Sequence, residues 1–253
     1  MFVYQEGQKL SKAPVVEAVI ELRVATAQSG DIDSLVNWRD LLKDRFPRGR
    51  HIHFFQAQMG VSDANKVTKA IESQPTGVRL ESDDGKWVVQ GRLDALSVSR
   101  LAPYTGFEDL VEMTKSIWKS YVDAIAAQAT VRLGVRYINR IEIKADGLNF
   151  DTILTAGPKI PSNLPQLFTE FMSRVVVQIP EQRVAVAVLQ AFDPGPPFVQ
   201  AGNSAIVLDI DAFSDIPHEV NSGEVWRFMD TLRRVKNLAF FSSLTPGFLE
   251  TLL

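Results

Sequence analysis

Apolar and polar positions alternate along the chain in ways that divide it into strands and helices. VVEAVIELRV (15–24) puts Val16, Ala18, Ile20, Leu22 and Val24 on one side and Glu17, Glu21 and Arg23 on the other. That period of two is the mark of a half-buried strand. Asp31 or Asp33 then caps a helix running to about Phe46, with Leu35, Trp38, Leu41 and Leu42 at helical spacing and Pro47 as its stop. Residues 48–59 predict a loop entering a short strand, and 62–77 one or two helical turns. Residues 78–81 and 87–91 flank Asp83-Asp84-Gly85, a hairpin signal because Gly takes positive φ at little cost, and 95–101 is the next strand.

Pro103-Tyr104 ends that strand. Thr105 with Glu108 three residues on fits a capping box, in which each side chain satisfies an otherwise unpaired backbone N–H. The helix it opens carries a broad apolar stripe from Phe107 through Leu110, Ile117, Trp118 and Tyr121 to Ile125.

VRLGVRYINRIEI (131–143) follows as a long strand. Val131, Leu133, Val135, Tyr137, Ile141 and Ile143 form a core face, and Arg132, Arg136, Arg140 and Glu142 a polar one. Asn139 falls on the core face and Ile138 on the polar face, which predicts a β-bulge or a buried, hydrogen-bonded asparagine. Residues 144–168 hold a short helix at most. Residues 171–179 and 183–192 read as a strand pair joined by Pro180-Glu181-Gln182, with Ala185, Ala187 and Ala191 making a face for close packing. DPGPPFVQAG (193–202) is a loop carrying an exposed Phe198, and 205–213 is another strand. Asn221 with Glu224 opens a last helix, with Val225, Phe228, Met229, Leu232, Val235 and Ala239 inward, ending before Pro246.

Strands at Val16 and Val131, strands at Ala95 and Ala205, and helix starts at Phe107 and Ser222 recur at a spacing of about 115 residues. The expected fold is therefore α+β, in two similar halves (1–130 and 131–253). Each half is an antiparallel sheet packed against a long amphipathic helix, the two forming one compact unit by internal duplication with pseudo-two-fold symmetry.

Composition narrows the chemistry. The 253 residues are 45% hydrophobic and 23% charged, enough to bury a substantial core. Cysteine is absent, which removes disulfides, thiol catalysis and Cys-ligated zinc and leaves a reducing cytoplasm as the expected compartment. A formal net charge of −3 offers no global field for nucleic acid or anionic lipid. The first residues, MFVYQEGQKLSKAP, lack a secretory pattern, and no membrane contact is expected.

Four groups of residues can carry chemistry. Arg136 and Arg140 share a strand face and can clamp a phosphate or carboxylate, or pair with acids such as Glu17 and Glu21 on a neighbouring strand. His51 and His53, two apart, suit a metal, but no third ligand is identifiable. Arg45, Arg48 and Arg50 beside them form a basic cluster that can meet nucleic acid or lie solvated. Asp209 and Asp211, near His218 and Glu219, can hold a divalent cation or pair with Arg174 or Arg183. Phosphate-loop, dinucleotide, zincin and serine-elbow motifs are missing, so no cofactor is expected. Trp118 and Trp226 read as core aromatics.

KAPVVEAVIELR (12–23), SRLAPYTGFEDL (99–110), LGVRYINRIEI (133–143) and VKNLAFFSSLT (235–245) together resemble a sporadically distributed prokaryotic family of proteins of about this length. The Arg-Tyr-Ile-Asn-Arg run is its most specific element, and Phe107 stands where that family's pattern has tryptophan. The family has no established activity. Its patchy distribution suits accessory loci, and the resemblance singles out Arg100, Tyr104, Arg136, Tyr137, Asn139, Arg140, Lys236 and Asn237. The reading these observations favour is a binding or interaction module. It uses the arginine-bearing sheet face, or the cleft between the halves, for a small anionic ligand or a partner protein, and a homodimer stays open. The alternatives are a metal-dependent hydrolase or nuclease at Asp209 and Asp211, and a nucleic-acid-binding accessory protein.

Overall fold

A computed structural model describes residues 10–26, 31–61, 67–143, 149–165, 169–193 and 204–253, with backbone only for 54–61 and 67–73. The expected leader and the Phe198 loop lie largely outside the described residues. The strands are β1 (Val15–Thr26), β2 (Arg48–Val61), β3 (Val67–Glu81), β4 (Trp87–Arg92), β5 (Ala95–Leu101), β6 (Ala127–Glu142), β7 (Met172–Ile179), β8 (Val184–Asp193), β9 (Ala205–Ser214) and the two-residue β10 (His218–Glu219). The helices are α1 (Ile32–Leu41), α2 (Phe107–Ile125), α3 (Glu224–Ser243) and the short α4 (Pro246–Glu250). The fold is α+β, with mainly antiparallel strands joined in one sheet of order β2-β3-β4-β5-β1-β6-β9-β8-β7. An antiparallel sheet was expected in each half; the β1–β6 ladder, running from Val15↔Asn139 to Thr26↔Ala127, joins the strands of both in one sheet.

The helices lie against the face that the two-residue period marked as apolar. Ala18, Ile20 and Leu22 of β1 stand opposite Tyr137, Val135 and Leu133 of β6, and all six are buried. α2 packs over β5, β1 and β6, and α3 over β6, β9 and β8. Two expected core residues fall outside this face. Register shifts leave Val16 unmatched on β1 and Val131 unmatched on β6, and both are 36% exposed. A bulge adds one residue to one strand and turns its side chain to the other face.

Other departures have local causes. α1 stops at Leu41, whose side chain is 76% exposed, because turns rather than helix follow to Asp44 and Arg45. Its cap is Asp31, which accepts from the Asp33 N–H. Where a loop into a short strand and then helical turns were expected, the described residues of 48–61 and 67–77 lie in the long antiparallel strands β2 and β3, with Pro75 at a register shift, the place a sheet tolerates proline. The capping box at Thr105 does not form: Gly106 is the N-cap of α2 and no side chain caps it. The opening of α3 is likewise without a side-chain cap.

Trp38 anchors α1 beneath α2. It is 1% exposed, its Nε1–H donates to Ser120 Oγ at 3.0 Å, and its ring meets Tyr121 edge-on at 5.6 Å. Gly91 of β4 underlies that ring, and a Cβ there would stand 2.5 Å from Trp38 Cζ3. Gly91→Ala is expected to destabilise the protein by roughly 1–3 kcal/mol through overpacking. A urea titration checks this, and an unchanged midpoint would mean that the tryptophan moves freely.

Candidate functional site

The expected arginine face is a row of ion pairs. On the sheet face opposite the helices, Arg132 reaches Glu21 Oε1 and Asp211 Oδ2, both at 2.8 Å, and its guanidinium lies 4.4 Å from the Phe213 ring centre. Arg136 Nε donates to Asp209 Oδ1 at 2.8 Å, and Arg140 pairs with Asp193. Asp209 and Asp211 therefore meet Arg136 and Arg132, not Arg174 or Arg183. Glu21 meets Arg132, not the two arginines of the expected clamp. Burial pushes the Asp211 carboxyl up, against the pull of Arg132.

The other sequence candidates are dispersed. His51 and His53 stand exposed on β2 with ring centres 6.2 Å apart. Among the described residues there is no group of three side chains able to hold a metal. Arg45 bonds Ser116 Oγ, Arg48 bonds the carbonyls of Ser82 and Asp83, and Arg50 lies beside Arg79 and Glu81. Arg100 is buried and stacks over Trp87 at 5.0 Å. Trp118 is a core residue, its Nε1–H bonded to the Val220 carbonyl. Trp226 packs edge-on against it.

Five of the motif positions converge elsewhere. Tyr104, Tyr137, Asn139, Lys236 and Asn237 line one pocket of about 190 Å³. It opens between the first turn of α2, the face of α3 bearing Arg233 and Lys236, the end of β6 and residues 13–15. Asn139 belongs to its frame. It is 1% exposed, and its Nδ2 donates to the Leu208 carbonyl at 2.9 Å, so the Ile138–Asn139 break is a buried, backbone-bonded asparagine. The bulge sits opposite, at Val16 of β1.

Lys236 gives the pocket its character. It is 8% exposed and holds its Nζ 3.6 Å from the centre of the Tyr137 ring. Among the described residues no carboxylate or hydrogen-bond acceptor is paired with it. Burial, with Arg233 adding to it, pushes its ammonium down to about 7. The aromatic face pulls the other way, since a ring quadrupole attracts a cation. Arg233, one helical turn earlier, reaches Glu108 Oε1 at 2.8 Å and lies 4.9 Å from the Phe107 ring centre. Glu108 thus spans to α3 instead of folding back on its own helix.

The Tyr104 and Tyr137 hydroxyls bond each other, and their rings meet edge-on at 5.3 Å. Burial pushes Tyr104 up to about 12 and Tyr137 well above its ordinary value, so both stay neutral at physiological pH. One of the two protons lies between the oxygens, which leaves the other hydroxyl hydrogen to donate elsewhere. The pocket therefore joins the ammonium of a largely buried lysine with no partner among the described residues, a guanidinium, a neutral O–H donor and the uncapped N-terminus of a 19-residue helix.

Of these residues, sequence reasoning missed Arg233. The signal was the pair Arg233 and Lys236, three apart on a helix whose apolar stripe includes Leu232, Val235 and Phe240. A lysine inside such a stripe is a buried charge in waiting. Among the described residues no helix is long and apolar enough to cross a membrane. No family model and no curated protein matches the chain.

Proposed function

We propose that the chain is a binding protein for a small anion, held between α2 and α3 against the middle of the sheet. The observation that carries this reading is Lys236, buried and without a counter-ion among the described residues, beside an uncapped helix start. A helix N-terminus presents unpaired N–H groups and about half a positive charge, so it attracts carboxylate or phosphate. A buried ammonium without a partner costs several kcal/mol, and an anion in the pocket offsets that cost. The modest volume suits a ligand smaller than a nucleotide. The arginine face is given a structural role, since Arg132, Arg136 and Arg140 each meet a carboxylate.

The pocket also gives the two sides of the sheet a common purpose. We take β1 to α2 and β6 to α3 as duplicated halves. Support comes from the order β5-β1-β6-β9, in which the first strand of each half meets the other at the centre. In each half the strand preceding the long helix is the next strand out, and both helices lean on β6. A ligand at this junction touches both halves. The absence of cysteine supports a reducing compartment.

The test is thermal stabilisation by acetate and by inorganic phosphate at constant ionic strength, converted to affinities by linkage. Lys236→Met and Arg233→Met are each expected to weaken binding about 10- to 100-fold, the worth of one charge-assisted hydrogen bond. Stabilisation that is equal in wild type and in Lys236→Met would place the anion elsewhere and end this reading.

A further inference from the structure

We infer that Lys236 is a covalent anchor, forming an imine with a small aldehyde or ketone that carries a carboxylate or phosphate. This rests on the anion pocket above and adds to it a reacting atom and a substrate class. Three features of the site carry it. Among the described residues Lys236 Nζ is the only amine lining the pocket, and the residue is 8% exposed with its nitrogen over the Tyr137 ring. Its position over the Tyr137 ring sets it close to a hydroxyl pair that holds a proton not committed between the two oxygens. Arg233 and the first turn of α2 line the same space, so an anionic group bound there holds the attached carbonyl within the pocket.

The chemistry balances without an oxidant or a metal. The neutral amine donates its lone pair to the carbonyl carbon, and the carbonyl oxygen takes up a proton to give a carbinolamine. The nitrogen gives up one proton, the hydroxyl takes up a second proton and leaves as water, and the nitrogen lone pair closes the C=N bond of a protonated imine. Addition of water reverses each step. A nucleophilic lysine needs a share of neutral amine at working pH, and desolvation beside a second cation is a recognised way to obtain it. Lys236 meets both conditions, being buried and next to Arg233. Tyr104 and Tyr137, kept neutral, can give and recover the proton at the carbonyl oxygen.

The experiment is reductive trapping of the full chain with glyoxylate and sodium cyanoborohydride, followed by intact-mass measurement and peptide mapping. The expected product carries one carboxymethyl group, on Lys236, formed at least tenfold faster than on exposed lysines such as Lys119. Its rate should climb to a plateau once the pH passes about 7. Lys236→Met should lose the fast product, and Arg233→Met should slow it. Glycolaldehyde phosphate, used in parallel, distinguishes a phosphate-bearing ligand from a carboxylate by which is trapped faster.

Adducts scattered over surface lysines with none favoured at Lys236 would overturn the proposal. So would acetaldehyde, which has no charge, labelling Lys236 as fast as glyoxylate. If acetate stabilises the protein through Lys236 while trapping fails there, the imine is wrong and the anion pocket stands. If neither occurs, both fall together.

Discussion

Lys236→Met is expected to raise the melting temperature by about 5–10 °C at pH 6, a gain unusual for a buried position. The reason is the direction of the lysine's shift. Its ammonium is held at about 7 in the fold, against an ordinary 10.5. Between those values the unfolded chain binds a proton that the folded chain does not, so stability rises with pH across that window. Below about 7 the fold bears the whole cost of the charge, about 4–5 kcal/mol at 1.36 kcal/mol per unit. Methionine keeps the length and removes the charge, at a packing cost of about 2 kcal/mol over the Tyr137 ring, leaving a net gain of about 2–3 kcal/mol at pH 6 that is lost before pH 10. Scanning fluorimetry at pH 6, 8 and 10 measures this. A melting temperature that falls at pH 6 would make Lys236 a structural member, and the pocket would lose its rationale as a site.

Arg132→Ala is expected to do the opposite, costing roughly 3–5 kcal/mol at pH 7.5, as breaking a largely buried ion pair does. Its side chain is 16% exposed and bridges Glu21 and Asp211. Without it Glu21 keeps Arg23, whereas Asp211 loses its direct partner and has Arg136 as the remaining nearby cation. Burial already pushes Asp211 up, and removing the guanidinium leaves only the pull of Arg136 against it. Asp211 then takes up a proton more readily, so the deficit is largest near neutral pH and shrinks as the pH falls toward 5. Chemical denaturation at pH 7.5 and 5 separates this from a packing defect at Phe213, which would cost the same at both. Arg136→Ala, with a side chain 49% exposed, should cost far less.

How much of this was legible in the chain depended on whether the signal was local. β1, β6 and β9 show a period of two because one face meets helices, and α2 and α3 show the helical period for the complementary reason. The β2–β3 hairpin was misread because its residues mix polar, aromatic and basic types and include Pro75, tolerated only at a register shift. Val16 and Val131 obeyed the alternation in sequence and broke it in space, since a bulge is fixed by the partner strand. The site followed the same division. Tyr104, Tyr137, Asn139 and Lys236 were all named from their motifs, yet nothing local separated them from Arg136 and Arg140. The separation depends on strand order: β9 brings Asp209 and Asp211 to the arginines, and α3 crosses β6 at the tyrosine. The same holds for Glu108, whose spacing from Thr105 suited a cap and whose partner is 125 residues away.

The charge state of Lys236 is the quantity on which all of this turns. It can be followed directly through the ¹³Cε resonance of labelled lysine, assigned by its loss in Lys236→Met. One lysine signal should titrate near pH 7, and its midpoint should move upward when acetate or phosphate is added. If every lysine instead titrates near its ordinary value and none responds to either anion, Lys236 is not an unpaired cation in a ligand pocket, and the proposed function is wrong.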